Sequence, residues 1–160
     1  MRLLLIRHAI AAPLGGNVAR DEDRPLTAQG RQRFRRVVAG LVRMVPCPHA
    51  ILTSPLLRAR QTAEIAAQAW GKLGPEVVPA LTEGCAGRIR RALAKFAEQD
   101  TIVMVGHETW LSEITARLLG SSSGHSFRYR KGGVALIEVD SELARATLLW
   151  FIPPRVFRCW

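Results

Sequence analysis

The chain has 160 residues, 48% hydrophobic and 22% charged, with 23 Lys and Arg against 13 Asp and Glu and a formal net charge of +10. That length suits one domain over residues 1–160 with a core of its own, and the composition excludes disordered and fibrous classes. So strong a basic excess directs attention to anionic partners: phosphate groups, nucleic acid or a membrane surface.

In chain order, Leu3–Ile6 is a short, continuously apolar run that predicts a strand buried on both faces, as in a parallel sheet. Arg2 and this run superficially mimic a secretory leader, but Arg7 and His8 interrupt it well short of the ~7–15 apolar residues a leader needs. A polar loop follows, with Gly15-Gly16-Asn17 and the acidic cluster Asp21-Glu22-Asp23. Thr27 predicts an N-cap, and Phe34, Val37, Val38, Leu41, Val42 and Val45 then repeat on one helical face until Pro46 and Pro48 stop it. Ala50–Thr53 predicts a second strand. Ser54-Pro55 reads as a polar cap with proline at the first position of a helix that runs to about Trp70 and carries Arg58 in its first turn. Gly71 to Pro75 break that helix, Val77-Val78 suggests a minor strand, and residues 87–97 predict another helix. Thr101–Val105 is a third buried strand, followed by Gly106-His107 and a helix from about Glu108 to Leu119. Ser121-Ser122-Ser123-Gly124 reads as a loop. Val134–Val139 and Ala146–Ile152, separated by Asp140-Ser141-Glu142, predict paired strands of a hairpin or meander. Strands alternating with helices, then paired strands, predict an α/β sandwich with a largely parallel sheet, its strand order left open.

No stretch approaches the ~18 apolar residues of a transmembrane helix, so no membrane partner is expected. Cys47, Cys85 and Cys159 are odd in number and widely spaced. They fit neither a disulfide framework nor a zinc pattern, which predicts a reducing, cytoplasmic setting.

The charge is uneven: residues 1–60 hold 11 basic and 3 acidic residues, residues 61–160 hold 12 and 10. Arg7-His8 follows the first strand, Arg58 lies just past the second, and His107 follows the third. In an open α/β sheet the ligand crevice lies outside the carboxyl ends of the strands, so these residues are predicted to share one rim. Helix N-termini near Leu56 and Glu108 would add N–H groups suited to phosphate. Each residue alone has an ordinary explanation: a satisfied histidine, a capping arginine, a solvated helix charge. Two His and two Arg on one rim, without a carboxylate cluster or thiol, point instead to an oxyanion site. Other motifs fail. Gly120-Ser121-Ser122-Ser123-Gly124 matches a nucleophile elbow but follows a helix, and His107-Glu108 opens like a zinc-protease helix but position 111 is Leu111. No metal site is indicated.

LLLIRHA, RPLTAQGR, TSPLLRARQTAE and VGHETWL, in this order, resemble the histidine phosphatase superfamily. With the later KGGVALIEVD and LLWFIPP, nearly the whole chain resembles the small SixA-type phosphohistidine phosphatases. The resemblance implies a single three-layer α/β/α sandwich with a mostly parallel central sheet, the phosphoglycerate mutase-like fold, with no metal or organic cofactor. It implies that His8 is the nucleophile, that Arg7 and Arg58 clamp phosphate, and that His107 is the second pocket histidine. Larger superfamily members place an acid well after the second arginine, and Glu83 stands at a comparable interval. SixA-type members often lack an obvious acid there, so Glu83 reads either as the general acid or as an exposed loop carboxylate. Glu108 reads as a first-turn helix residue favourable to the dipole.

The implied chemistry suits these residue types. Two guanidinium forks and a histidine can neutralise and orient phosphoryl oxygens. A neutral imidazole can attack phosphorus through one ring nitrogen while the other donates a hydrogen bond, giving a phosphohistidine that water hydrolyses. The short intervals between motifs leave little chain for a lid, which predicts an open pocket and favours phosphohistidine on a protein, with a small phosphate ester as the alternative. Arg31, Arg33, Arg35 and Arg36 admit three readings: a solvated helix face, a docking face for an acidic protein, or a nucleic-acid footprint. The last is disfavoured because no aromatic residues interleave. A non-catalytic anion- or nucleic-acid-binding protein is the remaining functional class.

Overall fold

Leu3, Leu4, Leu5 and Ile6 are each no more than 1% exposed, which requires cover on both faces of their strand. The sheet supplies the setting: β1 (Arg2–Arg7), β2 (Ala50–Thr53), β3 (Glu76–Val77), β4 (Thr101–Gly106), β5 (Val134–Val139) and β6 (Ala146–Ile152) are arranged in the order β3-β2-β4-β1-β5-β6. β3, β2, β4 and β1 are parallel neighbours. β5 joins β1 antiparallel and β6 joins β5 antiparallel, with a register shift between Leu136 and Ile137. The computed structural model describes the chain except Asn17, Lys72, Leu73, Glu98, Gln99, Ser141, Cys159 and Trp160. Asn17 of the first loop, part of the Gly71–Pro75 break, Ser141 of the late turn and Cys159 therefore lie outside the described residues.

Five helices cover the sheet: α1 (Ala28–Met44), α2 (Leu57–Ala69), α3 (Ala80–Glu83), α4 (Ala86–Leu93) and α5 (Trp110–Leu118). Alternate strand residues point to opposite faces. Leu4, Ile6, Val103 and Val105 meet α1 and α2 through Phe34, Val38, Leu41, Ala63 and Ala66. Leu3, Leu5, Ile102 and Met104 meet the other layer through Leu81, Ile89, Leu93, Trp110 and Leu111. The result is the three-layer sandwich expected from the motifs. Each fully buried Leu or Ile contributes about 1.5–3 kcal/mol of transfer free energy, and both layers draw on β1 and β4.

The ends of the elements hold the differences from expectation. Thr27 caps α1 as anticipated, its hydroxyl accepting from the Gly30 N–H at 2.9 Å. Ser54 does not cap α2, which starts at Leu57 with Leu56 at the cap position, because the Ser54 hydroxyl faces a histidine described below. The short α3 was not anticipated, since four residues show no periodicity. α4 stops at Leu93 rather than 97, and α5 starts at Trp110 rather than Glu108. Gly124–Phe127, partly read as loop, forms a 3-10 turn. The minor strand is Glu76–Val77, paired with β2 at Leu52 and Thr53. Cys47 and Cys85 are exposed free thiols. Among the described residues, no helix is long and apolar enough to cross a membrane.

Candidate active site

Because β2, β4 and β1 are adjacent and parallel, their carboxyl ends reach the same rim. Arg7 is registered opposite Gly106, and Thr53 opposite Val105. The ladder continues one step into each loop: the His8 N–H donates to the Gly106 carbonyl at 3.0 Å, and the Ser54 N–H to the Val105 carbonyl at 3.1 Å. The Gly132 N–H donates to the carbonyls of both Arg7 and His8, each at 3.1 Å. His8 and His107, each only 6% exposed, thus stand side by side with ring centroids 5.2 Å apart and planes inclined at 51°.

The protonation pattern of His8 follows from its neighbour. Nδ1 lies 2.7 Å from the Ala9 carbonyl oxygen. A carbonyl can only accept, so Nδ1 carries the proton and Nε2 keeps its lone pair. Burial pushes the His8 pKa down to about 3, and the nearby His107, Arg58 and Arg7 also lower it, against the raising effect of the Ala9 bond. His8 is therefore a neutral imidazole across the physiological range.

His107 is set by hydroxyls. Its Nε2 lies 2.8 Å from Ser54 Oγ. That oxygen accepts from the Leu56 N–H at 3.3 Å and lies 3.3 Å from Thr82 Oγ1. When Thr82 donates to Ser54 and Ser54 to Nε2, the His107 proton sits on Nδ1; the reverse chain, Nε2–H to Ser54 and Ser54 to Thr82, leaves Nδ1 with its lone pair. Burial pushes the His107 pKa to about 4, with Arg58 and Arg7 lowering it and Asp21 opposing.

The two arginines are held from behind. Arg58, 7% exposed, donates through Nη1 to the Asp21 carbonyl at 2.7 Å and through Nη2 to Asp21 Oδ2 at 2.8 Å. Arg24 Nη1 also donates to Asp21 Oδ1 at 2.8 Å. These two arginine bonds, Arg24 first, hold the Asp21 carboxyl below its usual pKa despite some desolvation. The Thr62 hydroxyl donates to the Arg58 carbonyl at 2.7 Å and accepts from the Ala9 N–H at 3.0 Å, tying α2 to the His8 loop. Arg7 Nη1 donates to the Tyr129 carbonyl at 2.6 Å. Burial lowers the Arg7 pKa, Glu108 opposes that, and Arg128 and Arg130 reinforce it.

What remains open in the site is informative. Arg7 Nε, Arg58 Nε and His107 Nδ1 are buried with no hydrogen-bond partner among the described residues. An orphaned buried polar group costs about 1–3 kcal/mol, so these three, two of them arginine N–H donors, make a place for a ligand rich in hydrogen-bonding oxygens. A tetrahedral oxyanion has that chemistry, and cations and N–H donors of this kind would repel a metal ion. Among the described residues, no group of three His, Cys, Asp or Glu side chains is placed to hold a metal.

Of the residues singled out from sequence, Arg7, His8, Arg58 and His107 converge here, whereas Glu83 does not join them. Glu83 is exposed at the end of α3. Its neighbour Thr82 is the one that reaches the site, through Ser54. Glu108 is not a first-turn helix residue: it precedes the Thr109 cap, its Oε1 lies against the Ser112 hydroxyl, and its buried Oε2 has no partner. Asp21, Ser54 and Glu108 escaped notice as parts of the site. Asp21 sat in a polar loop and Ser54 mimicked a helix cap; only the adjacency of Glu108 to His107 was a signal.

The family model described as the histidine phosphatase superfamily, branch 1, matches residues 3–92. An uncharacterized protein of Picosynechococcus sp. is 39% identical over 141 residues, covering 84% of this chain and 82% of that protein. A solved structure of the protein histidine phosphatase SixA complexed with tungstate superposes with a TM-score of 0.81 at 25% identity, over 98% of this chain and 99% of that one. A protein from Nakamurella multipartitia assigned as a SixA phosphohistidine phosphatase shares the fold, with a TM-score of 0.77 at 24% identity over 96% and 95% of the two chains. The ordered motifs, the sandwich and the breadth of these matches agree, and the chain belongs to the histidine phosphatase superfamily as a SixA-type phosphatase that works through a histidine nucleophile.

Proposed function

We propose that His8 is that nucleophile and that the reaction runs through a covalent phosphohistidine at its Nε2. The observation that carries this is the free Nε2 lone pair in a site where Arg7 Nε, Arg58 Nε and His107 Nδ1 are buried without partners among the described residues. Nε2 attacks phosphorus as the bond to the leaving group breaks, and the leaving group takes a proton from solvent, which the hydrolytic water of the second step returns. Water then attacks the phosphohistidine, releasing inorganic phosphate and restoring neutral His8. Arg7 Nε–H, Arg58 Nε–H and His107 Nδ1–H hold the non-bridging oxygens as charge spreads over them. Neutral His8 needs no separate base, because its depressed pKa keeps the attacking pair available. The tungstate held by the SixA relative is a tetrahedral oxyanion of this kind.

The preferred substrate is phosphohistidine on a protein, acted on by a single cytoplasmic domain without metal or organic cofactor. Imidazole leaves with less proton assistance than an alkoxide, which suits a pocket whose candidate general acid, Glu83, is exposed. A small phosphate ester is the second reading, favoured by Glu108: its buried, unpartnered Oε2 lies in a site whose Arg7 feels its charge. The test is phosphoenzyme trapping. Wild-type protein mixed with a phosphohistidine protein labelled in its phosphoryl group, chelator present, should carry acid-labile label and release phosphate. His8→Ala should do neither. Turnover or labelling by His8→Ala refutes the nucleophile assignment, and loss of wild-type activity in chelator refutes the metal-free chemistry.

A further inference from the structure

A second feature opens directly from the outer side of Arg7. An open groove of about 680 Å³ has Arg7 at its inner end and Arg128, Arg130, Lys131 and Arg155 along its walls. The last four are exposed, and none of them forms an ion pair among the described residues. Among the described residues, no acidic one lines the groove. Some surface cations elsewhere are paired, Arg2 with Glu138, Arg20 with Glu22 and Asp23, Lys95 with Glu76, while others such as Arg35, Arg36 and Arg43 form no ion pair among the described residues. What sets the groove apart is the gathering of its cations in one concavity. A smaller recess next to it, sharing Ile10, Lys131 and Pro154, adds Arg33, the one arginine of the Arg31–Arg36 stretch among its lining residues.

Like charges gathered in one concavity repel one another, and low-dielectric walls focus their field outward. Burial is the main cause of the lowered Arg7 pKa, Glu108 opposes it, and the charges of Arg128 and Arg130 add to the lowering. A single phosphoryl group is matched by Arg7, Arg58 and His107, so the four outer cations exceed what it can neutralise. Their complement is a surface carrying several separated negative charges. The groove floor includes Phe151 and Pro154, apolar ground for the stems of long acidic side chains. Among the described residues Phe151 is the one aromatic residue lining it, not the row of stacking rings that single-stranded nucleic acid uses.

We propose that this groove docks an acidic protein surface flanking the phosphorylated residue, making it the specificity determinant of the enzyme. The basic patch anticipated on Arg31–Arg36 is thereby moved to the loop before β5 and the segment after β6. The inference rests on the phosphatase reading above, and the experiment separates the two. Two synthetic peptides are compared, each with one phosphohistidine, flanked by Asp and Glu in one and by Asn and Gln in the other. A double charge reversal, Lys131→Glu with Arg155→Glu, perturbs the groove, and Arg35→Glu with Arg36→Glu on exposed α1 positions serves as the control.

Wild type should favour the acidic peptide in kcat/KM, and the groove variant should lose that preference by about tenfold, mostly in KM, as expected for rim charges that govern encounter. Raising the salt from about 50 to 300 mM should erode the same preference, because the Debye length shrinks below the spacing of such charges. The control should keep the preference. Equal kcat/KM for the two peptides in wild type, or an unaltered preference in the groove variant, overturns the proposal while leaving the phosphatase reading intact. Binding of the acidic peptide to His8→Ala protein, followed by fluorescence anisotropy, reads the groove without turnover. If wild type cleaves neither peptide, the phosphatase reading fails, and salt-sensitive binding lost in His8→Ala carrying the groove reversal still upholds the docking site. Absence of such binding overturns it.

Discussion

Acidification from pH 7 to pH 4.5 is expected to cost the native protein about 2.5 kcal/mol through His8 alone. The native pKa is about 3, against 6.5 for an unperturbed histidine. The depressed native value means that the unfolded chain takes up the proton first. Above about pH 6.5 neither state is protonated at this position and the contribution is level. Below it the unfolded state is stabilised by about 1.4 kcal/mol per pH unit, while native His8 stays neutral until about pH 3. Two units below the reference value, less the small protonation already present at pH 7, gives the figure. His107, native value about 4, adds a loss of the same sign over the same window. Together they approach the lower end of the whole stability of a domain, about 5–15 kcal/mol. The assay is urea unfolding at both pH values for wild type and His8→Gln, whose amide can still donate to the Ala9 carbonyl but does not titrate. Asp21 and Asp140, whose native values are lowered, also lose stability on acidification, but they do so in both proteins and cancel. His8→Gln should therefore lose about 2.5 kcal/mol less than wild type between the two pH values. Equal losses, within about 0.5 kcal/mol, would refute the buried neutral imidazole and with it the reason for its readiness to attack.

Asp21→Ala takes the carboxylate from Arg58 Nη2 while Nη1 keeps the backbone carbonyl, so it should lower kcat/KM on a reporter phosphate by about tenfold and unfolding stability by about 1–3 kcal/mol, and Asp21→Asn should recover part of both. A methyl at Gly106 would run into the Trp110 ring, so Gly106→Ala should lose about 1–3 kcal/mol in urea unfolding and disturb His107 beside it; wild-type stability would contradict that packing. Glu83→Gln and Glu108→Gln should be compared on an alkyl phosphate and on phosphohistidine. A proton donor reveals itself by a much larger kcat loss on the alkyl ester, and a carboxylate with equal losses on both substrates is not one.

The unbroken apolar run of β1 already implied a strand covered on both sides, and Leu3–Ile6 are shared alternately between the two helical layers. Thr27 and the proline pair bounded α1 for local reasons, capping and steric exclusion, which is why that helix was legible almost to the residue. Ends governed by tertiary partners were not. Ser54 has the composition of a helix cap, yet its hydroxyl serves His107, so α2 begins later. α3 is too short for periodicity to register and owes its burial to Leu81 against the sheet.

The candidate site divides along the same line. Arg7, His8, Arg58 and His107 were legible because each sits just beyond a readable strand, and parallel neighbours place such positions on one rim. The sequence alone thus determined the strand and helix pattern, the basic excess and the residues delivered to that rim. Only the tertiary structure decided their states: burial keeps both histidines neutral, and the carbonyl that selects the His8 tautomer, though it belongs to the next residue, sits in a loop tied down by Thr62 and Gly132. It also decided which acids matter, drawing Asp21 to Arg58 and burying a Glu108 oxygen while leaving Glu83 exposed. Local sequence encodes backbone preference and hydrophobic period. Hydrogen-bond partners, desolvation and the gathering of unpaired charge depend on which distant segments are packed together, and those follow only from the folded chain.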